Sequence, residues 1–108
     1  MSKFDAALAI YKSAGINVDH SLLEKVAKSL GPSIYNADSS TVSGSDKAEL
    51  ATVKNNFLIK KLGLSEGPEL DKAINEVIEK MGRSNPKKYR AIFYTLLVER
   101  FGKQSLFV

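Results

Sequence analysis

The stretch from Pro86 to Phe101 carries apolar side chains on two separate faces of a predicted helix. These residues recur at intervals of three and four, which is the spacing of a helix. One stripe consists of Tyr89, Ile92, Phe93, Leu96 and Leu97, and the other of Ala91, Tyr94, Val98 and Phe101. A helix that is apolar on two sides is normally surrounded by other elements. We therefore expect this segment, the fifth predicted helix, to lie at the centre of the fold.

Four further segments have one apolar face each and are followed by a glycine. They run from about 3 to 14, 19 to 30, 46 to 62 and 68 to 81. Asp19 and Asp46 stand where a helix N-cap is preferred, and Pro68 suits a first helical position. No segment alternates apolar and polar side chains for long enough to predict a strand. The pattern predicts an all-α fold, a compact single domain over residues 1–108 with about five helices.

Composition narrows the class of protein further. The chain has 108 residues, of which 44% are hydrophobic, and this is enough to form a hydrophobic core without disulfide bonds. It contains no cysteine, which excludes disulfides, thiolate metal sites and a cysteine nucleophile. The first apolar run is interrupted by Asp5, unlike a signal peptide, and no run is long enough to cross a bilayer. These features predict a cytoplasmic protein that does not enter a membrane.

The long connection between the second and third helices, GPSIYNADSSTVSGSD (31–46), is rich in hydroxyl and carboxylate side chains. Its candidate ligand-binding residues are Tyr35, Asn36, Asp38, Ser39, Ser40, Thr41, Ser43 and Ser45. A calcium loop needs glycine at its sixth position and a bidentate glutamate at its twelfth. Counted from Asn36 these positions hold Thr41 and Lys47, and a count from Asp38 puts Ser43 at the sixth and Val42 at a ligand position. Neither register is complete, so no metal site is predicted.

A phosphate cradle is the second interpretation of this connection. Ser43-Gly44-Ser45 leads directly into the start of a helix, where anions are favoured. However, Asp46 as the N-cap would place a carboxylate where the anion should bind. The alternative is that the hydroxyls and carboxylates satisfy backbone groups in turns and caps. We favour this structural interpretation, with Ile34, Tyr35 and Val42 holding the connection against the core.

Positive charge is concentrated near the start of the fifth helix. Residues 80–103 contain seven basic residues and one acidic residue, whereas the rest of the chain has nine basic and eleven acidic residues. The candidate anion-binding residues of this basic turn are Arg83, Ser84, Asn85, Lys87, Lys88 and Arg90. Cations are unfavourable at a helix N-terminus unless an anion lies nearby. That anion is either external, as a phosphate, a nucleic-acid backbone or an acidic protein surface, or an internal carboxylate from Asp38, Glu66, Glu69 or Asp71. We expect Lys87 and Lys88 to point outward.

Three stretches of the chain together resemble a known protein family. They are GPSIYNADSSTVSGSD, NNFLIKKLGL (55–64) and GRSNPKKYRAIFYTLLVERFGK (82–103). They are similar to a family of small bacterial proteins that is catalogued only as a domain of unknown function. In that family a proline tends to follow the capping aspartate, whereas this chain has Lys47. The resemblance implies a small helical bacterial protein to which no activity, cofactor or catalytic residue is assigned.

The residues favour a binding role over catalysis. His20, the one histidine, stands in the first turn of a helix, where a surface position is expected. No serine lies in a nucleophile elbow, and Glu76 and Glu79 belong to an ordinary charged face. We therefore predict a non-enzymatic module that binds a protein partner or forms a homodimer. The alternatives are a binder of nucleic acid or phosphate through the basic turn, and a small enzyme with a site around the Ser-rich connection.

Overall fold

A computed structural model of the chain describes residues 9–11, 13, 18–30, 41–42, 46–82 and 88–107. Helix α1 is seen over residues 9–11, and α2 spans His20–Leu30. Helix α3 spans Lys47–Thr52 and continues directly as a π-helix over Val53–Lys61. Helix α4 spans Pro68–Met81, α5 spans Arg90–Phe101, and a 3₁₀-helix covers Gln104–Phe107. The predicted all-α fold is confirmed.

Helix α5 lies at the centre of the core. Eight consecutive residues of α5, Ala91–Val98, are buried, so no face of this segment meets solvent. It packs against α2 on one side and against α4 on another. Each of these neighbours buries one stripe: α2 through Leu22, Leu23, Val26 and Ala27, and α4 through Leu70, Ala73, Ile74, Val77, Ile78 and Met81. The central position predicted from the two apolar faces is confirmed.

The helix ends follow the local sequence. Asp19 Oδ1 accepts hydrogen bonds from the backbone N–H groups of Ser21 and Leu22, and Asp46 Oδ1 accepts from those of Ala48 and Glu49. Pro68 occupies the first position of α4, where its missing N–H is not needed. Gly102 ends α5 at a φ of 66°, a conformation that glycine adopts without strain.

Helix α5 begins later than the sequence predicts. The predicted helix starts at Pro86, but the first helical residue is Arg90 and its N-cap is Tyr89, at a φ of −58° and a ψ of 131°. Lys88 lies before the helix, and Tyr89 forms an isolated antiparallel β-bridge with Thr41. The carbonyl oxygen of Lys88 therefore accepts from Val42, at the end of the Ser-rich connection, and the first helical hydrogen bond of α5 is accepted by the carbonyl oxygen of Tyr89.

The third helix buries most of its predicted inner face but has a different winding. The apolar spacing places five residues inward, of which four are buried and Leu50 is partly buried: Leu50, Val53, Phe57, Leu58 and Leu62. Residues 53–61 form a π-helix, in which each N–H bonds to the carbonyl five residues earlier. The bond from Leu62 N to Phe57 O, 2.9 Å long, closes the last such turn. The prediction of an α-helix through to Leu62 is wrong for this half of the segment.

The spacing of the apolar residues explains the π-helix. In an α-helix, at about 100° per residue, Val53 and Leu62 would lie on opposite faces. In a π-helix, with about 4.4 residues per turn, the positions 53, 57, 58 and 62 gather on one face. Burial of all four side chains therefore favours the π-helix, because an α-helix would leave either Val53 or Leu62 exposed to water.

Deletion of Asn55 tests this explanation, because it restores α-helical spacing. Phe57, Leu58 and Leu62 would then lie three, four and eight positions after Val53, and all four side chains would share one α-helical face. We expect the shortened protein to fold cooperatively and to keep its free energy of unfolding within about 1 kcal/mol of the parent. Urea denaturation followed by circular dichroism measures this.

The control is the equivalent deletion in a regular α-helix. Removing Asn75 from α4 would rotate Val77, Ile78 and Met81 away from the core by about 100°. This variant should lose its cooperative transition. If the two deletions are equally damaging, the π-helix is not a consequence of apolar spacing.

Candidate functional site

The two segments proposed as sites from the sequence meet at one place. Thr41, from the Ser-rich connection, forms the β-bridge with Tyr89. The backbone N–H of Val42 donates to the carbonyl oxygen of Lys88 at 2.7 Å, and the Val42 side chain is buried. The end of the Ser-rich connection is thus joined to the end of the basic turn through the backbone. The expectation that Val42 helps to hold the connection to the core is confirmed.

Arg90 ties this junction to two helices. Its Nη1 donates to the hydroxyl of Tyr94 at 2.8 Å, one turn along α5. Its Nη2 pairs with the Glu49 carboxylate of α3 and lies 3.4 Å from the carbonyl oxygen of Thr41. The side chains of Arg90 and Glu49 are only 12% and 25% exposed. We call Thr41, Glu49, Arg90 and Tyr94 the arginine clamp.

Burial and the contact between them shift the pKa values of two groups in the arginine clamp, Arg90 and Tyr94. Burial by itself lowers the pKa of Arg90, but its interactions with the Tyr94 hydroxyl and the Glu49 carboxylate outweigh this effect, so the pKa is raised. Burial raises the pKa of the Tyr94 hydroxyl, and the nearby Arg90 only partly offsets this. Arg90 therefore stays cationic and Tyr94 stays neutral, and neither acts as a proton acceptor near neutral pH.

The basic turn differs from its predicted form where the structure describes it. Lys88 was expected to point outward from a first helical turn, but the residue is only 4% exposed and precedes the helix. Arg90 is paired internally with Glu49. Neither of these two candidates is an exposed cation. The remaining candidates lie outside the described residues: Arg83, Ser84, Asn85 and Lys87 of the basic turn, and Tyr35, Asn36, Asp38, Ser39, Ser40, Ser43 and Ser45 of the connection.

Three of the four carboxylates expected to neutralise the basic turn have other partners, and the fourth, Asp38, lies outside the described residues. Glu66 and Asp71 lie 3.8 Å and 3.5 Å from the ammonium of Lys54. Glu69 lies 3.9 Å from Arg100, which also donates to Glu76 at 2.6 Å. The described carboxylate that pairs with Arg90 is that of Glu49. The backbone N–H of the same residue donates to Asp46 Oδ1 in the N-cap of α3.

Sequence reasoning missed the roles of Glu49 and Tyr94. Tyr94 was read as part of an apolar stripe, and its ring does lie in the core, but its hydroxyl accepts from Arg90. Arg90 and Tyr94 stand four residues apart, a spacing at which helical side chains are neighbours, and this is the signal that was available. No short-range sequence pattern indicates that Glu49 contacts Arg90, because the two residues are 41 positions apart in the chain.

The described residues offer few groups for chemistry. His20 is exposed, as expected. Within the described ranges no three or more histidines and carboxylates come together in a way that would hold a metal ion. No helix in the described part of the chain is long and apolar enough to span a membrane. The arginine clamp itself is a set of mutually satisfied polar groups, which is the arrangement of a structural joint.

Comparison with known proteins places the chain in a family. The model of a family described as "Protein of unknown function (DUF2853)" matches residues 5–105. The chain belongs to this family. The matched range contains the arginine clamp, the π-helix and all of α2 to α5, so these features lie within the family's domain. No curated protein matches the chain.

Proposed function

We propose that this protein is a non-enzymatic interaction module that self-associates through the surface around its C-terminal 3₁₀-helix. The observation that carries the proposal is Leu106, a large apolar side chain that is 51% exposed. A half-exposed leucine on a fixed backbone contributes to association, because its burial removes apolar area from water and the backbone does not have to be ordered first.

The 3₁₀-helix holds Leu106 in place. Phe107, the next residue, is buried, and its ring lies 6.4 Å from the ring of Phe57. The ammonium of Lys61 lies 5.6 Å from the centre of the Phe107 ring and covers it. The helix also packs against α2. Docking of Phe107 therefore orients Leu106 outward, and a second copy of the chain is the proposed occupant of this surface.

The polyanion alternative has less support from the described residues. Of the two basic-turn cations that the structure describes, Arg90 already has a carboxylate partner and Lys88 is buried. A phosphate would have to displace Glu49 from Arg90 to bind there. The enzymatic alternative placed a site around the Ser-rich connection, to which Thr41 belongs. The backbone carbonyl of Thr41 accepts from Arg90, and Thr41 forms a β-bridge with Tyr89, so these contacts favour a structural role for Thr41.

Light scattering across a concentration series tests self-association. We expect the mass to rise with protein concentration, and Leu106→Ser to shift the rise to at least about tenfold higher concentration, the equivalent of losing 1.4 kcal/mol of apolar contact. Gln104→Ser, an exposed change in the same 3₁₀-helix, is the control and should leave the curve unchanged.

A mass that stays monomeric throughout, or equal effects of the two substitutions, would refute the proposal. Salt-sensitive retention on a heparin column without association would favour the polyanion alternative.

A further inference from the structure

A small cavity lies between the end of α2, the π-helix and α5. Its volume is about 190 Å³. The lining residues are Ser29, Leu30, Asn56, Phe57, Lys61 and Tyr94. This volume is below that of pockets that hold drug-sized ligands and is suited to a group the size of one ring.

The walls of the cavity are aromatic and held in place. The rings of Phe57 and Tyr94 stack at a centroid distance of 4.0 Å, with an interplanar angle of 24°. Both residues are largely buried, so only parts of their surfaces are open to the cavity. The Tyr94 ring is further restrained because Arg90 donates to its hydroxyl. The apolar wall is therefore preformed, and a ligand would not have to order it.

The rim of the cavity carries a cation. Lys61 is exposed, and its ammonium lies against the face of the Phe107 ring. Among the described residues no carboxylate forms a salt bridge with Lys61, in contrast to Lys54, Arg90 and Arg100. None of the lining residues is acidic. Asn56, also exposed, adds an amide that can donate hydrogen bonds. The rim is thus suited to an anion.

The π-helix contributes half of the lining. Asn56, Phe57 and Lys61 all belong to it. π-helical turns are rare, and they occur frequently at functional sites. The same π-helical winding turns Phe57 and Leu58 toward the core and places Asn56 and Lys61 at the cavity. The cavity therefore lies where the backbone departs from an α-helix.

We propose that this cavity binds a small aromatic monocarboxylate. The ring would lie against Phe57 and Tyr94, and the carboxylate would pair with the ammonium of Lys61 and accept from the amide of Asn56. Both parts of the ligand are needed for tight binding. A neutral aromatic ring would give Lys61 no anion to pair with, and an aliphatic acid would leave the rings of Phe57 and Tyr94 exposed to water. This inference does not depend on self-association of the protein.

Benzoate is the probe for the test, followed by amide chemical shifts of the full chain in NMR. We expect saturable shifts at Ser29, Leu30 and Asn56, with a Kd on the order of 1 mM for so small a ligand. Benzyl alcohol, which lacks the charge, and acetate, which lacks the ring, should each bind at least about tenfold more weakly. Shifts that do not saturate, or that lie away from the lining residues, would overturn the proposal.

Two pairs of variants localise the site. Lys61→Gln should weaken benzoate binding about tenfold, since it removes a charge-assisted hydrogen bond. Lys60→Gln, the same change at an exposed neighbour that does not line the cavity, should leave the Kd unchanged. Asn56→Ala should weaken binding severalfold, and Asn55→Ala should not. All four positions are exposed, so the fold is retained in each variant. Equal effects within either pair would refute the assignment.

Discussion

Phe93→Ala should lower the free energy of unfolding by about 3–5 kcal/mol, the usual loss for a buried phenylalanine. Phe93 has no exposed surface and lies on α5, which packs against both α2 and α4. The alanine leaves a cavity that neighbouring helices cannot fill, because they are held at several other contacts. Urea denaturation at equilibrium measures the change.

Lys72→Ala is the matched control for this prediction. Lys72 lies on the exposed face of α4, where substitution should change stability by at most about 0.5 kcal/mol. If the midpoints of the Phe93 and Lys72 variants coincide, α5 is not the centre of the core.

Arg90→Gln should lower the free energy of unfolding by about 2–4 kcal/mol. The glutamine cannot neutralise Glu49, which is only 25% exposed, and a half-buried carboxylate without its cation is costly. The substitution also removes the donor to the Tyr94 hydroxyl and to the carbonyl oxygen of Thr41. The same urea denaturation gives the value.

Arg100→Gln controls for the loss of an arginine from α5. Arg100 also pairs with carboxylates, Glu69 and Glu76, but it is considerably more exposed than Arg90. Water screens that network, so its loss should be much less damaging. An Arg100 variant as unstable as the Arg90 variant would mean that burial does not distinguish the two pairs.

Much of the fold follows from the sequence alone. The start of α4 at Pro68, its end before Gly82 and its buried stripe are all as predicted, because caps and periodic apolar residues act within a few positions of each other. The central place of α5 follows as well, since two apolar faces on one helix need cover on both sides. Each of these features is determined by residues that are close together in the sequence, so the sequence pattern is enough to predict it.

The remaining features depend on contacts that are distant in sequence. The late start of α5 arises from pairing of Lys88 and Tyr89 with residues 41–42, which no local pattern indicates. The arginine clamp joins Glu49 to Arg90 across 41 residues. The π-helix is different, because its signal was present in the positions 53, 57, 58 and 62, but an α-helical template does not detect that spacing.

A double-mutant cycle between Arg90 and Glu49 tests most directly whether the predicted basic site is an internal joint. The free energies of unfolding are measured for Arg90→Gln, Glu49→Gln, the double variant and the parent protein. The account predicts that the double variant is more stable than the sum of the single losses implies, with a coupling energy of about 1.5–3 kcal/mol. A coupling within about 0.5 kcal/mol of zero would contradict it and would leave Arg90 available to an external anion.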